Sequence, residues 1–207
     1  MATRTYRPPT RMLGPRHDGL AMTLSEFERA ELEDGFQYEL IHGELEVSPT
    51  PNPLGKDIAV AVFRLLDDYN RRNHPPPFAA IVWEPRVFIE TEPRSATAPQ
   101  PDVAGYRSYP ESSPKSYRDV APSLVVEVVS RGSVEKDYVR NRKLYARVSR
   151  LMEYWIIDPT VDSARPSMTV FLRTAASKPM RRIDVRPAGR YASANWSGLV
   201  VELSRIG

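Results

Sequence analysis

Leu124-Val125-Val126-Glu127-Val128-Val129 sets a single acid inside an otherwise aliphatic run. A short continuous apolar run reads as a strand buried on both faces. A carboxylate in such a strand is costly unless something compensates its charge. Upstream, Gln100-Pro101-Asp102-Val103-Ala104 opens a neighbouring strand, Asp102 to Tyr106, and carries an acid at its first position. Two carboxylates converging from adjacent strands are matched by a divalent cation that prefers oxygen ligands, such as magnesium. An ion pair between Glu127 and one of the many arginines is the alternative. Spacing alone leaves both open.

Composition narrows the classes without choosing a function. The chain has 207 residues, 41% hydrophobic and 27% charged, as expected of a globular protein with a sizeable core. It contains no cysteine, which removes disulfides, thiolate metal sites and a cysteine nucleophile. His17, His42 and His74 are scattered, against a histidine-rich zinc centre. No window approaches the roughly 18 apolar residues of a membrane span, and the start lacks the apolar core of a signal peptide. The expected location is cytoplasmic, with no membrane partner.

The net charge of +3 is compatible with nucleic acid without demanding it. Arg4, Arg7, Arg11 and Arg16 stand near the start with Pro8, Pro9 and Pro15 and no acid up to residue 17. Residues 1–20 are therefore expected as a flexible basic arm, and 21–207 as one domain. Such an arm can contact phosphates, or be an untethered terminus.

Along the chain the elements alternate in type. Thr23 with Glu26 forms a capping box for a short helix. Tyr38 to Val47 reads as a hairpin turning at His42-Gly43, with Glu39 and Glu44 on opposite arms. Ile58, Val62, Leu65, Leu66 and Tyr69 recur at helical spacing over about 56–71. Ile81 to Glu90 reads as a strand, and the polar, proline-bearing stretch 109–122 as a surface loop. A second, arginine-rich helix is expected over 136–150 and a strand at Tyr154-Trp155-Ile156-Ile157. The strand–helix–strand order makes the strands around Glu127 and Trp155 parallel. Met168 to Leu172, Arg182 to Val185 and Leu199 to Leu203 read as an antiparallel C-terminal extension. The expected class is α/β (α+β), a mixed central sheet flanked by helices. Trp83, Tyr154 and Trp155 are expected in the core, whereas Trp196 is open between core and ligand contact.

Five stretches in this order resemble the Uma-type restriction endonucleases within the PD-(D/E)xK nucleases. They are Met22–Phe27, Tyr38–Leu45, Gln100–Val103, Leu124–Ser130, and Asp137 through Tyr145 to Glu153–Pro159. The resemblance implies a restriction-endonuclease-like fold and metal-dependent hydrolysis of DNA phosphodiester bonds. Asp102 and Glu127 would hold magnesium or manganese, with the Val128 carbonyl as third ligand. Glu39 would be an additional acid near the metal, with Glu44 a weaker candidate; both also read as hairpin carboxylates. A dimer is expected of a protein that cuts both strands of a duplex.

One part of the pattern is missing. The motif lysine, two residues after the glutamate, is replaced by Val129. Relatives of this type supply a lysine from the following helix, four residues after an aspartate. Here that aspartate is Asp137 and the fourth residue on is Asn141. Lys143 is the candidate substitute, although it stands about 200° round an α-helix from position 141. Lys136, just before the helix, is a second. The alternative function is a catalytically weakened nuclease fold acting as a nucleic-acid-binding or regulatory module, and a third is hydrolysis of another phosphoester.

Overall fold

The computed structural model describes residues 12–50, 53–109 and 117–207, with the side chain of Tyr117 excluded. The chain folds as two compact units, the first taking residues up to 50 with 90–98, the second the remainder.

In the first unit, β1 (Met12–Leu13) pairs in parallel with β2 (Glu31–Leu32) around α1 (Leu24–Arg29). The helix begins at the expected cap. Thr23 Oγ1 accepts from the Glu26 N–H at 3.2 Å, and Glu26 Oε2 accepts from the Thr23 N–H at 2.7 Å. The hairpin is β3 (Phe36–Ile41) and β4 (Glu44–Pro49), antiparallel with Glu39 opposite Glu46. His42 and Gly43 turn it with φ of 52° and 80°, the left-handed pair that suits a two-residue hairpin loop. A Cβ at residue 43 would collide with the Arg94 carbonyl, so glycine is required there twice over. Arg4, Arg7 and Arg11 of the expected arm lie outside the described residues. Residues 12–20 belong to the folded unit, with Leu13 buried and its carbonyl accepting from the Tyr38 hydroxyl at 3.2 Å.

The second unit is a six-stranded sheet. Its strands are β5 (Ala80–Trp83), β6 (Val103–Tyr106), β7 (Leu124–Val128), β8 (Glu153–Asp158), β9 (Ser167–Leu172) and β10 (Arg181–Val185). They stand in the order β10-β9-β8-β7-β6-β5, and only the β7–β8 pair is parallel. The helix α2 (Pro53–Arg72) and the two-stranded sheet of β11 (Arg190–Ala192) and β12 (Val200–Glu202) also belong here. The connection from β7 to β8 is a π-helical stretch, Lys136–Asn141, running into α3 (Arg142–Ala146).

Residue alternation in β7 explains its uninterrupted apolar run. Leu124, Val126 and Val128 enter a core completed by Ile58, Val62 and Leu66 of α2. Val125 and Val129 enter a second core with Ala104, Tyr145, Tyr154 and Ile156. Each buried aliphatic side chain contributes roughly 1.5–3 kcal/mol. Glu127 shares the parity of the second set, so the acid belongs to the face covered by the π-turn and α3.

One expectation changes. The strand read as Ile81 to Glu90 stops at Trp83, because Pro85 cannot donate to a ladder and Glu84 takes a φ of 45°. The C-terminal extension is antiparallel as expected: β9 and β10 continue the main sheet, and β11 and β12 pair in a two-stranded sheet. Of the expected loop at 109–122, residues 110–116 lie outside the described residues, and Tyr117–Asp119 form a short 3-10 turn.

Candidate metal-binding acidic site

The site forms where β6 leaves the sheet. The β6–β7 ladder ends with Val103 paired to Val126, and continuing that register by one step would set Asp102 opposite Glu127. Directly opposed residues of antiparallel strands point to the same face, with Cβ atoms about 4.5–5.5 Å apart. Beyond Val103 the backbone ladder is replaced by a side chain: the Val128 N–H donates to Asp102 Oδ2 at 2.6 Å. That bond brings the Val128 peptide against the carboxylate. Asp102, Glu127 and Val128 are thus brought together.

Behind them lies the π-turn. Asp137 and Asn141 are both buried, Asn141 completely. Asn141 Nδ2 donates to Glu127 Oε1 at 3.0 Å and to Asp137 Oδ1 at 3.2 Å. The Tyr145 hydroxyl donates to the same Glu127 oxygen at 3.1 Å. The Tyr154 hydroxyl donates to the Asp137 carbonyl at 3.0 Å, and its pKa is driven well up by burial and by the charges of Glu127, Asp137 and Asp102. Arg140 completes the polar chain, its guanidinium forking onto Asn141 Oδ1 at 3.0 and 2.9 Å. Single-turn π segments are frequent at functional sites, and here the wider turn brings residues 137 and 141 inward together.

Burial and neighbouring acids leave Asp102 short of compensation. Its carboxyl is pushed up to about 7, first by burial and then by the charges of Asp137 and Glu84. The Val128 N–H and Lys136 pull the other way. The donor set of two carboxylates and a backbone carbonyl is the hard-oxygen kind that suits magnesium or manganese, and a cation would offset the burial, and then the repulsion, that hold Asp102 up. No group of three or more acidic or histidine side chains among the described residues is disposed to hold a metal. An ion here would therefore complete its shell with backbone oxygen and water, as magnesium commonly does.

The remaining expected residues stand on other elements. Glu39 is buried on β3 of the first unit. Glu44 is exposed. Lys143 is exposed on α3, because the register that turns Asn141 inward turns residue 143 out. The cation whose charge acts on Asp102 is instead Lys136, at the start of the π-turn. Trp155, Tyr154 and Trp196 are core residues, and Trp196 packs against Phe78 with ring centroids 5.0 Å apart.

Fold and site together define an α+β protein: a mostly antiparallel central sheet flanked by few helices, with an acid pair at the end of a parallel strand. The family model for Uma2, "Putative restriction endonuclease", matches residues 24–184, and the chain belongs to that family. Among solved structures, one described as a putative nuclease belonging to DUF820 from Anabaena variabilis superposes with a TM-score of 0.65. It is 17% identical, and the match covers 89% of this chain and 97% of that one. That likeness shows the fold. No curated protein matches the chain. No helix among the described residues is long and apolar enough to cross a membrane.

Proposed function

We propose that the protein is a divalent-metal-dependent endonuclease that hydrolyses DNA phosphodiester bonds in the cytoplasm, cutting duplex as a two-fold dimer. The observation that carries this reading is the pair of buried acids Asp102 and Glu127, each one residue beyond the last pair of the β6–β7 ladder, with Asp102 held up to about 7. Asp102 and Glu127, with the Val128 carbonyl, would hold magnesium or manganese. Such an ion neutralises charge on the phosphate and makes a bound water acidic. The chain's own part is positioning. Asn141 and Tyr145 fix Glu127 through one oxygen, and the Val128 N–H fixes Asp102. Fixed dipoles of this kind stabilise developing charge without reorganising. Lys136 is the basic group best placed to act there, in preference to the exposed Lys143.

The second reading, a nucleic-acid-binding or regulatory module with weakened catalysis, rests on Asn141. A neutral amide stands where the family resemblance implies a lysine, accepting from Arg140 and donating to Glu127 and Asp137. Incubation of supercoiled plasmid with magnesium, manganese or EDTA separates the two. The first reading expects nicking that EDTA abolishes and that Glu127→Gln reduces at least ~100-fold. Plasmid bound but left intact with every ion supports the second.

A further inference from the structure

On the outer side of the helical turn that carries the acid cluster lies a groove of about 710 Å³. Its wall comes from Tyr138 and Val139, which stand between the inward-facing Asp137 and Asn141, and its opposite side from the β9–β10 connection. Four cations line it, Arg142, Arg173, Lys178 and Arg182, and no acid does. Arg182 is partly neutralised, since its Nε donates to Asp184 Oδ1 at 2.8 Å. The other three have no carboxylate partner among the described residues.

Arg173 is the informative member. It is only 6% exposed, yet its guanidinium donates solely to backbone carbonyls, those of Ala146 at 2.9 Å and Ala176 at 3.2 Å. Its Nε has no hydrogen-bond partner. A buried cation without a counter-ion is expensive, and burial lowers its pKa accordingly. Arginine arrays of this kind match the geometry of phosphate oxygens. Arg142 is held over the Phe171 ring with 5.8 Å to its centroid, which keeps that guanidinium at the groove rather than free in solvent.

We infer that this groove carries the sugar-phosphate backbone of a nucleic-acid strand away from the acid cluster, with Arg142, Arg173 and Lys178 as the phosphate contacts. The choice of partner rests on the nuclease reading; the anionic character of what binds rests on the groove alone. A strand engaged at Asp102 and Glu127 would pass the edge of the π-turn and meet these cations next. Contacts of this type position a strand without reading its sequence.

The test is binding of a fluorescein-labelled DNA duplex to the full chain, with calcium in place of magnesium, followed by anisotropy over a salt series. Arg142→Gln/Lys178→Gln alters two exposed side chains and leaves Arg173 in place. It should bind roughly tenfold more weakly and reduce the slope of log affinity against log salt by about 2, one per lost phosphate contact. The control is Arg64→Gln/Arg190→Gln, two exposed arginines away from this groove that make the same change in net charge. An equal loss in the control would mean that only overall charge matters and would overturn the groove. So would an unchanged slope in the groove variant, or no DNA binding by the wild type. Metal-dependent plasmid nicking is measured on the same preparations. Nicking by a wild type whose binding ignores Arg142 and Lys178 sinks the groove but not the nuclease. Groove-dependent binding without nicking does the reverse.

Discussion

Glu127 and Glu153 stand on adjacent parallel strands, both buried, and their surroundings differ in kind. Glu153, at the start of β8, faces the first core and receives five donors from neutral groups. Trp155 Nε1 and the Tyr191 hydroxyl reach Oε2 at 2.7 and 2.9 Å. The Ser193 hydroxyl, the Asn195 N–H and Asn195 Nδ2 reach Oε1 at 2.6, 3.3 and 3.0 Å. A carboxylate has about four lone-pair positions, so Glu153 is saturated by protein. Its work is to staple the segment around 191–195 to the sheet. Glu127, near the other end of the parallel pair and on the other face, sits among acids and is held through one oxygen by Asn141 and Tyr145. A buried acid surrounded by neutral donors is architecture, whereas one gathered with other acids is a candidate for a cation.

The largest effect is expected where the staple is broken. Glu153→Gln turns one acceptor into a donor facing donors, leaving buried groups unpaired, and should cost about 3 kcal/mol or more. For a chain of this size the melting temperature should fall by roughly 10 °C. Glu127→Gln keeps an acceptor for Asn141 and Tyr145 and should stay within a few degrees of wild type while losing nicking. Comparable thermal losses in both variants would erase the contrast between the two glutamates.

A smaller change is expected in rate. Asn141→Lys places an ammonium between Glu127 and Asp137 and should raise nicking several-fold. Lys143→Ala should leave nicking unchanged, since that side chain faces solvent. Loss of nicking in Lys143→Ala would return the catalytic role to residue 143.

The remaining effect is a pH dependence without metal. Asp102 binds its proton more tightly in the folded chain, near 7, than in the unfolded chain, near the usual carboxylate value. Its contribution is therefore most favourable below about pH 4 and is lost as pH rises to about 7, a fall on the order of a few kcal/mol. Asp102→Asn can still accept from the Val128 N–H and should flatten that part of the stability profile in chemical denaturation. An identical profile in the variant would assign the titration to another group.

Much of this arrangement is legible in the sequence, for identifiable reasons. The continuous apolar runs of β7 and β8 can be satisfied only by strands covered on both faces, and a helical crossover makes them parallel. The His42-Gly43 turn and the Thr23–Glu26 cap rest on local chemistry alone. The staple at Glu153 is not legible, because four of its five donors lie some 40 residues away in a stretch with no motif. The cation acting on Asp102 is legible only as a choice between Lys143 and Lys136, because side-chain spacing on an α-helix does not anticipate the phase change of the π-turn. Residues 1–20 read as an arm from their prolines and arginines, yet residues 12–20 are held in the first unit by the buried Leu13 and by hydrogen bonds of Gly19 and Leu20 with Leu45.

Manganese binding tests the central claim most directly. A crystal grown with manganese and measured for anomalous scattering should show one strong peak within about 2.0–2.6 Å of oxygens from both Asp102 and Glu127, beside the Val128 carbonyl. A peak bound elsewhere, or an acid pair left bridged only by protein donors at saturating manganese, would contradict the account and leave Glu127 as a second structural carboxylate.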